Sequence, residues 1–211
     1  MARLLAAVDL GETLEWTVAT ARYLQGGLGM PAELLHVVPS AYFEALARGG
    51  LARYLLHRGE VPVFLLPKAL VGVRRIAVGL DDSPASLAAF RVAEAWGRAL
   101  GAEVFGLHLV SGERGCCFPT YLDPNRLSLG QVLEAAKAHL EGLLKATGVV
   151  EVAPGERELD LLRLAQDRGA DLLVLGSKAR STWRHRLGRM VEVLVQESPL
   201  PLLVVPEAAV W

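Results

Sequence analysis

The chain has 211 residues, 52% of them hydrophobic and 21% charged, with a formal net charge of -1 at pH 7. Such a composition is globular rather than disordered, and its balanced charge supplies no field to draw in nucleic acid or an anionic membrane surface. No run of about 18 uncharged apolar residues is present, and Asp9 and Glu12 interrupt the opening MARLLAAVDLGE too early for a secretory leader, so the expected location is the cytoplasm.

In chain order the predicted elements open with a strand at Leu4–Val8, a helix at Thr13–Leu28 and a strand at Leu34–Val38. A helix near Phe43–His57 and a strand at Val61–Leu66 follow. Arg75–Leu80 is a short, apolar, β-branched run and reads as a buried strand. Ser83 can cap the next helix with Pro84 at its first position, and Gly101 can close it. Val104–Val110 is a second strand, and residues 111–126 are rich in turn formers. Leu129, Val132, Leu133, Ala136, Leu140, Leu143 and Leu144 then recur at helical spacing. A short strand at Val149–Val152 leads to a helix from about Glu156 to Arg168, ended by Gly169. Leu172–Leu175 and Leu202–Val205 are continuous apolar runs on either side of a helix carrying Leu187, Val191, Leu194 and Val195. Apolar strands without alternation, separated by helices, imply a parallel sheet covered on both faces, hence a doubly wound α/β fold.

The chain also repeats itself. A shift of 72 carries residues 4–38 onto 76–110, with Asp9 on Asp81, and a shift of 139 carries 49–67 onto 188–206, with Gly49 on Gly188. The first copy therefore lacks 67 residues that the second has, and the boundary falls near Pro67–Arg75. The expected domains are 1–70, a truncated copy, and 74–206, a nearly complete one.

In an open parallel sheet the ligand site lies beyond the carboxyl ends of the strands. Those ends are Asp81, Leu109-Val110 and Gly176-Ser177. Asp81 is open to two readings: an acceptor for ligand hydroxyl or amino groups, or a carboxylate favoured by the start of a helix. Residues 172–190 run from a strand ending at Gly176, through a polar loop, to a helix beginning near Gly188. Backbone N–H groups at such a junction can cradle phosphate. Lys178, Arg180, Arg184, Arg186 and Arg189 crowd the same stretch, as a phosphate clamp or as a solvated basic loop. His36 and His108 lie in apolar strands and read as core histidines. Cys116 and Cys117 are adjacent, a poor geometry for a disulfide, and read as reduced thiols. No Walker-type loop, metal-ligand spacing or catalytic triad emerges, so neither catalytic nor metal-binding residues are assigned.

Several segments resemble the universal stress protein family. RIAVGLDDSPAS is similar to its opening strand and turn, VFGLHLV to its second strand, and ADLLVLGSKARS to its strand-to-loop signature. LGRMVEVLVQESPLPLLVVP is similar to its closing helix and strand. The resemblance implies a sheet of order 3-2-1-4-5, like that of adenine nucleotide alpha-hydrolases, and ATP as the ligand. It carries Asp81, Leu109, Gly176, Ser177 and Gly188 over as binding positions, and Arg189, which stands where the family has a small hydroxyl residue, joins them as a cation that can clamp a phosphate or fill its place. The family pattern G-x-x-G, nine residues, G-[ST] is met at Gly176 and Gly188, whereas Ala179, a gap of eight and Arg189 depart from it. The implied function is a stress-response protein that binds ATP weakly in its second domain and acts through conformation or an unidentified protein partner rather than by turnover. The alternative is an interaction or dimerisation module of the same fold without nucleotide.

Because the family pairs final strands across dimers, Val61–Leu66 and Pro201–Val205 are expected to pair within the chain as a pseudo-dimer, with further homo-oligomerisation left open. The first copy would keep a three-stranded remnant. Residues 1–70 alone should then fail to fold, and 71–211 alone should stay soluble.

Overall fold

The computed structural model describes residues 4–8, 14–36, 62–67, 70, 72–111, 128–146, 148–156, 158–178 and 188–207. Five helices are described: α1 (Leu14–Leu28), α2 (Pro84–Leu100), α3 (Leu129–Leu144), α4 (Glu158–Asp167) and α5 (Arg189–Glu197). The strands are β1 (Leu4–Val8), β2 (Ala32–His36), β3 (Val63–Leu65), β4 (Arg75–Gly79), β5 (Glu103–Val110), β6 (Val150–Pro154), β7 (Leu172–Ser177) and β8 (Leu202–Pro206). The helix expected near 43–57, residues 112–126 of the expected loop with Cys116 and Cys117, and Arg180, Arg184 and Arg186 lie outside the described residues.

The main sheet has six strands in the order β3-β8-β7-β4-β5-β6. β4 occupies the interior, with β5 and β6 wound to one side and β7 and β8 to the other, and all five are parallel. The apolar runs explain why. Ile76, Val78, Leu172, Val174, Leu203 and Val205 face a core that also holds Leu24 of α1, Phe90 and Trp96 of α2, and Leu140 of α3. Ala77, Leu173, Leu175, Leu202 and Val204 face the opposite core, with Leu161, Leu162 and Ala165 of α4 and Val191 and Leu194 of α5. Both sides of the inner strands β4, β7 and β8 are buried, so both must be apolar.

Local signals set the helix ends. Ser83 caps α2, and Gly101 closes it at φ +69, a left-handed conformation that costs glycine no Cβ clash. Ser128 and Gln131 form a reciprocal capping box on α3. β7 runs two residues past the predicted Leu175, because Gly176 and Ser177 continue the ladder opposite Val205 and Pro206.

β3 pairs antiparallel with β8 through Val63↔Val204, Phe64↔Leu203 and Leu65↔Leu202, so the strand pairing expected within the chain is present. The three-stranded remnant is not what forms among the described residues. β1 and β2 make a two-stranded parallel sheet, and β3 leaves it for the main sheet. An apolar edge at β8 offers β3 a larger buried partner than a two-stranded ribbon does.

Helix α1 is also tied to the second half. Thr20 Oγ1 accepts the Leu70 N–H at 2.9 Å, and the Tyr23 hydroxyl accepts the Val73 N–H at 2.9 Å. Leu24 is 1% exposed within the Trp96 core. Tyr23→Phe should leave the Val73 N–H unmet and cost about 1–2 kcal/mol, a fall of roughly 2–8 °C in melting temperature measured by calorimetry.

Candidate functional site

A cavity of about 190 Å3 opens where β4, β5 and β7 end. Gly79, Leu80 and Asp81 bring β4 and its turn to it, and Leu107, His108 and Leu109 bring β5. Leu175 and Gly176 bring β7. Ser83 and Ser86 from the first turn of α2, Leu161 from α4, and Met190 and Val191 from α5 complete the lining. The walls are mainly apolar, and Asp81 is the lining residue that carries a formal charge.

Asp81 is held by a compact network. Its Oδ1 accepts the Ser83 N–H at 2.9 Å and the Ser83 hydroxyl. Ser83 Oγ in turn accepts the Ser86 N–H at 3.3 Å, which is the N-cap bond of α2. The Ser86 hydroxyl donates to the Asp81 carbonyl at 2.6 Å and accepts the Asp81 N–H at 3.2 Å. Burial pushes the carboxyl's pKa up. The Ser83 and Ser86 hydroxyls, the Ser83 N–H and the Lys178 charge outweigh it and hold the pKa below the ordinary 3.8. The two readings of Asp81 are therefore compatible: Oδ1 serves the turn, and Oδ2 receives neither of the Ser83 bonds.

Gly176 sits where its lack of a side chain matters. A Cβ there would come within 2.4 Å of the Ala85 carbonyl carbon and oxygen and 2.6 Å of Ser86 N. The strand end is thereby pressed against the backbone of α2's first turn, which fixes Asp81 and Gly176 in one wall. His108 is 4% exposed and bonds Leu80 O through Nδ1 at 2.8 Å. A carbonyl only accepts, so Nδ1 carries the proton, and the expectation of a satisfied core histidine agrees.

Of the predicted positions, Asp81, Leu109 and Gly176 line the cavity together. Ser177 is 6% exposed within the ladder and is not part of the lining, and its carbonyl accepts the Glu207 N–H at 2.9 Å. Gly188 is the N-cap of α5, with no side-chain bond to the helix's first amides. Arg189, exposed, pairs through Nε with Glu158 Oε1 at 2.8 Å. Leu161, Met190, Val191 and Glu158 are not singled out by sequence. Their apolar or amphipathic spacing looks like that of any core-facing helix, and an ion pair between two helices leaves no local trace. Among the described residues no group of three or more His, Cys, Asp or Glu could hold a metal ion, and no helix is long and apolar enough to cross a membrane.

A family model described as the universal stress protein family matches residues 72–206, more than half of the chain. The chain belongs to the universal stress protein family. No match was found among curated proteins. Solved structures with the same fold include a universal stress protein from Archaeoglobus fulgidus DSM 4304, 15% identical with a TM-score of 0.65, covering 98% of both chains. A functionally unknown protein from Pseudomonas aeruginosa PAO1 is 15% identical with a TM-score of 0.57, covering 97% of this chain and 81% of that one. A putative universal stress protein from Pseudomonas aeruginosa UCBPP-PA14 is 16% identical with a TM-score of 0.56, covering 97% and 82%. At such identities the likeness is one of fold. It extends over nearly the whole of this chain, beyond the 72–206 segment that the family model matches.

Proposed function

We propose that the chain is a stress-response protein that binds an adenine nucleotide in the cavity at the ends of β4, β5 and β7. In this reading residues 74–206 form the binding unit, and 1–70 are a truncated copy that covers its sheet edge. The observation that carries the reading is a mostly apolar cavity at a sheet switch point with one ionised, pre-positioned carboxylate on its wall. The residues suit the ligand's parts. Leu107, Leu109 and Leu161 offer an apolar slot for a flat base, and Asp81 offers an acceptor for ribose hydroxyls. The N-cap of α5 is Gly188, which has no side chain to bond the first-turn N–H groups, and such groups suit phosphate. Gly176, Gly188 and the basic residue Arg189 belong to this reading, and Ser177 supports it from within the ladder. Ser83 and Ser86 line the cavity with their hydroxyls engaged in the α2 turn, His108 lines it with Nδ1 bonded to Leu80 O, and among the described residues no group that could hold a metal ion accompanies the carboxylate. The action proposed is through conformation or a protein partner.

ATP added to the full-length protein should register in titration calorimetry, and nucleotide should be detectable by mass spectrometry of freshly purified material. Asp81→Ala should weaken binding by about 10- to 150-fold, the loss of a hydrogen bond to a charged acceptor. Because the Asp81 pKa is depressed in the folded protein, its carboxylate stays ionised throughout the neutral range. Binding should be insensitive to pH there and should fall as pH drops below 3.8. The stabilisation from its hydrogen bonds follows the same sign: present above 3.8, lost as pH falls through the lower folded value. Absence of any heat with millimolar ATP would reject the reading. It would favour the second one, a nucleotide-free interaction module, which the engagement of Arg189 by Glu158 supports.

A further inference from the structure

Arg189 is the residue whose place in a phosphate site is least expected, and its partner shows what it does in this chain. Its guanidinium Nε lies 2.8 Å from Glu158 Oε1, with the arginine side chain 84% exposed and the glutamate side chain only 16% exposed. The carboxylate is thus the fixed, sheltered member of the pair, and the arginine reaches to it. Neither residue lines the cavity, but the helices that carry them do: Leu161, one turn after Glu158 on α4, and Met190, next to Arg189 on α5, are lining residues. α5 begins at Gly188, an N-cap residue with no side chain to bond the first amides, and the positive end of its dipole favours an anion. Glu158 places a carboxylate beside the helix's first residue, and Glu192 adds another within its first turn.

We infer that Glu158 is a specificity-determining residue of the cavity, an internal anion that occupies Arg189 and disfavours ligands with several phosphate charges. The inference rests on the adenine-nucleotide reading. A triphosphate entering beside α5 must draw Arg189 away from Glu158, and it then stands near a carboxylate left without its partner. Adenosine, which carries no phosphate, meets neither obstacle. The site thereby discriminates by charge, favouring adenine ligands with little phosphate over ATP relative to what the same cavity would do with a neutral residue at 158.

The test compares adenosine, AMP and ATP by calorimetry on full-length wild type, Glu158→Gln and the double variant Glu158→Gln/Arg189→Gln. Glutamine keeps the size of glutamate and one acceptor oxygen while removing the charge, so folding is checked simply by an unchanged melting curve. Glu158→Gln should tighten ATP by about tenfold, tighten AMP less, and leave adenosine within about twofold. The double variant should lose most of the ATP gain, because the freed arginine supplies it. Equal changes for ATP and adenosine, or no change for ATP while adenosine and ATP both still bind, would overturn the role of Glu158 and leave the nucleotide reading standing. Failure of all three ligands to bind wild type and variant alike would overturn both.

Discussion

Gly176→Ala should lower the melting temperature by about 5–10 °C and distort the cavity wall, whereas Gly188→Ala should change stability by less than about 1 kcal/mol. The family-type pattern treats the two glycines alike, but the structure separates them. A Cβ on Gly176 would stand 2.4 Å from the Ala85 carbonyl carbon and oxygen, and these are backbone atoms of a capped helix turn rather than the tip of a flexible side chain. Relief requires that β7 and the start of α2 move apart. β7 is held on one side by β4 and on the other by β8, and the α2 start is held by the Ser83 and Ser86 bonds to Asp81. Overpacking of this kind costs about 1–3 kcal/mol, or more where no collapse is possible. At Gly188 an added Cβ would meet nothing within 4 Å, and the φ of -55 suits any residue. Differential scanning calorimetry of the two variants decides the matter. A Gly176→Ala protein melting with the wild type would show that the strand end is not clamped against α2.

What is legible in the sequence follows from which forces are local. The runs RIAVGL, LLVLG and LLVVP are apolar at successive positions, and burial on both sheet faces is what such runs require, so the parallel sheet can be read directly. The Ser83-Pro84 start and Gly101 stop of α2 are equally local. Asp81, Leu109 and Gly176 can be brought together because strand ends of a parallel sheet converge on one rim. Ser177 cannot be judged this way, since whether a ladder stops at Gly176 or runs one residue further depends on the length of β8 beside it. The choice of β3 between two sheets is also non-local: Val63–Leu65 has the same apolar pattern whichever edge it joins, and the more buried edge wins. Glu158 leaves no signal because its partner Arg189 lies 31 positions away on another helix.

Cutting the chain between its halves should damage both pieces, and this changes the expectation for the longer one. Residues 1–70 alone would retain β1, β2 and α1, with β3 deprived of β8. The two-stranded sheet and one helix among its described residues bury too little surface to fold independently. The fragment 71–211 keeps the five parallel strands but loses two covers. Leu24 of α1, 1% exposed, is removed from the core that contains Phe90 and Trp96, and Tyr23 and Leu28 pack against the same cluster. Uncovering that bed removes roughly 2–5 kcal/mol for Leu24 alone, judged by the cost of truncating a buried leucine. At the same time β8 loses β3, and Leu202, Leu203, Val204 and Val205, each at most 2% exposed in the whole chain, become an apolar sheet edge. Unpaired edges of this composition recruit other chains. The 71–211 fragment should therefore melt at least about 8 °C below the full chain and elute as dimers or larger species in size-exclusion chromatography with light scattering. Leu24→Ala in the full chain separates the two losses: it should lower the melting temperature without self-association, since β3 still covers β8. A monomeric 71–211 fragment with the stability of the whole protein would mean that the first half contributes neither packing nor edge protection to the second.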